Sequence, residues 1–170
     1  MKKSATKLIL LWAIVTSFCM CSIVFVAYYS GNYNASIQFS VIPILFGGLV
    51  MLVRAYRNKA GGVSSQFADI FKIGMLMILV CSFIFFISFF LFLYANPVIT
   101  NRLAEFALSA KLPLNDPPAD DTESKSKLLS LFFNPVSFGI VKFIATVFEG
   151  AILTLIISAM FSKKQHIAGK

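Results

Sequence analysis

The chain has 170 residues and a formal net charge of +8, yet only 13% of its residues are charged while 58% are hydrophobic. Soluble domains carry about a quarter charged residues, so this sequence has too little polar material to coat a water-soluble globule. The basic excess does not point to nucleic acid, because Lys and Arg cluster beside apolar runs and form no stripe interleaved with aromatics.

Four apolar runs approach or exceed the roughly twenty helical residues needed to cross about 30 Å of hydrocarbon. The first, 8–29, follows Lys2, Lys3 and Lys7. That opening imitates a secretory signal. The run is longer than a signal core and lacks a small-x-small cleavage site, so it is expected to remain as a span. An uncharged, turn-like break, "SGNYNAS", leads to the second run, 37–53. This run carries Pro43 and the Gly47-Gly48 pair, and a kink is expected there, tolerated because neighbouring helices re-satisfy the freed backbone groups. The basic stretch "RAYRNKAGGVSSQFADIFK" precedes the third run, 70–95, which stops at Asn96-Pro97. The fourth run, 136–161, is introduced by Asn134-Pro135, an N-cap residue followed by proline at the first helical position.

Segment 96–135 is too long for a turn. Ile99, Leu103, Phe106, Ala107 and Ala110 recur there at helical spacing, with Arg102, Glu105 and Ser109 elsewhere on the wheel. An amphipathic helix lying on the outer membrane face or capping the bundle is expected. The acidic, proline-rich "NDPPADDTESKSK" follows and reads as mobile.

Lys and Arg in short flanking segments set orientation. Lys2, Lys3 and Lys7 precede the first run, Arg54, Arg57, Lys59 and Lys72 lie between the second and third, and Lys163, Lys164 and Lys170 form the tail. The first hairpin has none, and acids outnumber bases in 96–135. Both termini are therefore expected in the cytoplasm. The whole chain reads as one all-α, four-helix polytopic domain of a bacterial inner membrane. The cytoplasmic loop bearing Arg54, Arg57, Lys59 and Lys72 reads first as a topology determinant, and second as a site for anionic lipid headgroups or a polyprenyl phosphate.

Helices in lipid pack through small residues. Thr146, Gly150, Thr154 and Ser158 recur every four residues in the fourth run, and Gly74, Cys81, Ser88 and Ala95 every seven in the third. The sevenfold repeat is the seam of a left-handed crossing. Whether the two stripes face one another or a second chain is open at this level.

Glu149 stands near the middle of the fourth run, where a central acid costs about 2.5–3.5 kcal/mol on insertion scales. Lys142 lies seven residues earlier on the same helix face, about 10 Å nearer the outer surface. That is too far for a direct salt bridge, but Thr146 sits between them and water can link the three. Glu149 has three readings: a neutral carboxyl donating a hydrogen bond to a neighbouring helix, part of a proton- or cation-coupled path, or a partner for a charged residue of another protein. Lys142 on its own reads as a snorkelling cation.

Other chemistry is not supported. Cys19, Cys21 and Cys81 lie in apolar runs with no C-x-x-C spacing, and the first two are about 200° apart on a helix, so they read as packing residues. His166 has no metal-binding partner in the sequence, and Asp120, Asp121 and Glu123 lack the glycine and alternation of a calcium loop. With no Ser-His-Asp, Cys-His or H-E-x-x-H arrangement, the expectation is a protein without enzymatic activity, cofactor or metal.

Two stretches carry a family resemblance: "YRNKAGGVSSQFADIFKIG", with Gly61, Gly62, Ser64, Phe67, Phe71 and Gly74, and "GAILTLIISAMFSKK", with Gly150, Leu155, Ile156, Ala159, Lys163 and Lys164. The chain resembles the membrane proteins, found mainly in Bacteroidota, grouped as domain of unknown function 4199. The resemblance implies four helices, the long outer loop and an inner-membrane location, and it implies no activity. Glu149 is not part of that pattern. The combined expectation is an accessory or scaffold subunit that binds itself or another membrane protein. The alternative is a small dimeric proton- or cation-coupled transporter using Glu149.

Overall fold

A computed structural model describes residues 3–32, 36–59, 66–109 and 134–162. These form five helices: α1 (Lys3–Tyr29), α2 (Ser36–Lys59), α3 (Phe67–Ala95), α4 (Pro97–Ser109) and α5 (Pro135–Phe161). Within them, Ala5–Tyr29, Ser40–Asn58, Phe67–Ala95 and Pro135–Phe161 are long and apolar enough to cross a membrane. The protein is an all-α multi-pass membrane bundle.

Local chemistry explains the helix ends. Gly31, at φ +74°, closes α1: its N–H reaches Tyr28 O at 3.1 Å while Asn32 N–H reaches Ala27 O at 3.0 Å. This double bond satisfies carbonyls that the helix leaves open, and it needs a left-handed residue. At the start of α5, Asn134 Oδ1 accepts from Ser137 N at 2.8 Å and Pro135 occupies the first turn. Asn96 and Pro97 separate α3 from α4, and Asn96 N–H turns back to Leu93 O. The α2 helix runs uninterrupted through Pro43 and continues six residues past the expected end at 53. The "RAYRNK" segment consists largely of good helix formers, so loss of apolar character there does not end the helix.

Contacts along the helices fix the topology. Ser17 meets Cys81, Phe25 stacks on Phe92 at 4.2 Å, and Tyr29 Oη donates to Asn96 Oδ1 at 3.3 Å, so α1 and α3 run parallel. The positions of Gly74, Ile78 and Phe86 against Thr154, Gly150 and Gly139 make α3 and α5 antiparallel. Arg57 over Phe161 brings the last turns of α2 and α5 to one end of the bundle. Going round the bundle, the order is α1, α2, α5, α3, with α3 packed most extensively against α5 and α1. The first and last described residues therefore lie on one side, as an even number of crossings requires.

The α5 stripe is buried along its whole length at Thr146, Gly150, Thr154 and Ser158. The α3 stripe is divided between two neighbours. Gly74 is buried against Thr154 of α5, Cys81 is buried against Ser17 of α1, and Ser88 stands beside Cys21 of α1. Ala95 is exposed. The α4 helix folds back on the bundle through buried Ile99 and Leu103, and Thr100 Oγ1 donates to Leu93 O at 3.0 Å. Phe106 and Ala107 lie on this helix with side chains outside the described residues, as does the whole of "NDPPADDTESKSK".

Candidate functional site

The heptad spacing of Lys142 and Glu149, with Thr146 between, turns all three toward the bundle interior. Together they line one small, partly open cavity of about 20 Å³, with Val24 of α1, Val41 of α2 and Phe85 of α3 among its other walls. That is the room one water molecule needs. The two charged groups sense each other electrostatically, but neither carries an ion pair among the described residues. The geometry is what a water-bridged chain requires: an ammonium that only donates, a carboxylate that accepts, and a hydroxyl able to do both.

Sequence reading missed a buried orphan hydroxyl on α3, outside the lining of this cavity. Gly74 faces Thr154 and Ile78 faces Gly150, so each step of four along α3 is matched by four backward on α5. Ser82 lies one further step of four along α3, and its hydroxyl is fully buried with no hydrogen-bond partner among the described residues, as are Ser158 Oγ and Trp12 Nε1. A buried orphan hydroxyl carries a desolvation cost of about 1–3 kcal/mol, which a bridging water relieves. The signal that could have revealed Ser82 is its i, i+4, i+8 relation to Gly74 and Ile78, which the seven-residue pattern hides.

Deeper in the bundle the polar groups are satisfied locally. Thr154 Oγ1 donates to Gly150 O at 2.7 Å, and Ser17 Oγ lies 2.7 Å from Ala13 O and 3.2 Å from Cys81 Sγ. Among the described residues no group of three or more His, Cys, Asp or Glu side chains comes together. Of the basic loop, Arg54 and Arg57 cap the α2–α5 end, Lys72 is exposed near the start of α3, and the Lys59 side chain lies outside the described residues. The site can hold one water among a cation, a hydroxyl and an acid.

No curated protein and no solved structure matches the chain. Residues 6–163 match the family described as "Protein of unknown function (DUF4199)". Since that match takes in all four spans, the polar cavity and the arginines of α2, the chain belongs to this family of unknown function.

Proposed function

We propose that the chain is a non-enzymatic accessory or scaffold protein of a bacterial inner membrane, with both ends cytoplasmic, that docks a second transmembrane helix against α2. One observation carries this reading. Among the glycines of the described spans, a side chain added at Gly48, Gly74, Gly139 or Gly150 meets a neighbouring helix, whereas Gly47 is exposed with nothing within 4 Å. Small residues in lipid serve close helix approach, and Gly47 offers that notch outward, flanked by exposed Pro43 and Met51. The concentration of Lys and Arg at the end shared by α2 and α5 supports the cytoplasmic assignment. A photoreactive residue at Met51, activated in native membranes, is expected to yield one dominant protein adduct that disappears in Gly47→Leu. Adducts with lipid alone would defeat the proposal.

The Lys142–Thr146–Glu149 cavity favours a second reading, in which Glu149 couples proton or cation movement. Proton release from purified protein on adding a lipophilic cation, lost in Glu149→Gln, would support it. Silence in that assay would remove it.

A further inference from the structure

Where α2 and α5 end, Arg54, Arg57, Asn58 and Phe161 surround an open pocket of about 510 Å³. Arg54 and Arg57 are three residues apart and project from neighbouring positions on one side of α2. The Arg57 guanidinium lies 5.9 Å from the centre of the Phe161 ring. This contact places the guanidinium beside the ring, at the outer reach of a cation–π interaction. Neither arginine is ion-paired among the described residues, and Asp69, in the first turn of α3 at the same end, is exposed.

The pocket's depth is set by its walls. Arg54 directly follows the apolar run 37–53, and Phe161 closes the apolar run 136–161. The site therefore lies where hydrocarbon gives way to headgroups. Two permanently charged, planar donor forks match a tetrahedral oxyanion, and an amide beside them adds a further donor.

We propose that this pocket binds a phosphoryl group at the membrane surface, carried by an anionic lipid. The phosphodiester sits between Arg54 and Arg57, and the glycerol end lies along Phe161. This inference is independent of the helix-docking face at Gly47.

The test uses the full chain in a neutral, phosphate-free detergent, with intact-assembly mass spectrometry of bound phosphatidylglycerol and phosphatidylcholine supplied in equal amounts. Phosphatidylglycerol is expected to be retained about tenfold over phosphatidylcholine, and Arg57→Gln to reduce that preference about fivefold. Lys72→Gln removes one charge from the same end without touching the pocket and is expected to leave the preference within about twofold. Equal losses from both substitutions would mean diffuse attraction and would overturn the site. Arg57→Lys keeps the charge but loses the fork, so most of the preference should go while the Tm in detergent stays unchanged. In a separate arm, inorganic phosphate is titrated against bound phosphatidylglycerol. Persistence of the lipid supports a headgroup site; displacement by free phosphate overturns it.

Discussion

Replacing Gly150 with leucine is expected to destroy the folded bundle, while the same change at Gly47 leaves it intact. A methyl group added at Gly150 would lie 2.5 Å from Ile78 Cγ2 and 2.9 Å from Ile78 Cγ1. Both atoms are bonded directly to Cβ of a β-branched residue, which holds essentially one χ1 rotamer in a helix and has no way to swing aside. Even alanine therefore forces α3 and α5 apart, at a cost of about 1–3 kcal/mol. Leucine adds three further carbons to the same clash and separates Gly74 from Thr154 one turn away. At Gly47 nothing stands in the way, and loss of a helix-interior glycine favours folding by about 1 kcal/mol. Thermal unfolding in detergent measures both. A Gly150→Leu variant that melts with the parent would show that α3 and α5 do not pack along this seam.

The second large effect concerns the polar cavity. Removing either charge alone, as Lys142→Met or Glu149→Gln, leaves the other in a low-dielectric interior without its counter-charge. Breaking a fully buried pair costs about 3–5 kcal/mol. Here both residues are half-buried and separated by a cavity, so a loss of about 2 kcal/mol is expected for each. The double substitution is expected to cost less than the sum, with a coupling of about 1 kcal/mol or more between the sites. Unfolding of all four proteins in one detergent closes the cycle. Strictly additive losses would mean that the two groups do not share the cavity as a unit.

The architecture was readable because lipid imposes a simple rule: each span must be long, apolar and internally hydrogen-bonded. Length and composition alone therefore locate all four helices, and Asn134-Pro135 locates the start of α5. The C-terminal end of α2 was not readable, because Arg54 to Lys59 are mostly polar yet largely good helix formers, and hydropathy reports solvent rather than backbone. Nor was the use of each small residue. Gly47 and Gly48 are equivalent as letters, but a residue turns about 100° from the one before it. One faces open space, while a side chain on the other would collide with Thr16 and Met77. Lys142, Thr146 and Glu149 share a face by arithmetic, whereas the walls that enclose them come from three other helices. Ser82 escaped because its burial without a partner among the described residues follows from the packing around it, not from its spacing alone.

The seam between α3 and α5 also bears on how the protein is made. Helices emerge from the ribosome in order, and α5 follows α3 only after α4 and the long stretch beyond it. Until α5 arrives, the Gly74–Ile78 face has only acyl tails to rest against. A nascent chain halted after α4 would thus carry three spans and an open flank on α3. The α3–α5 seam thus ties the two helices together during assembly, since each covers the small-residue face that the other would otherwise leave open.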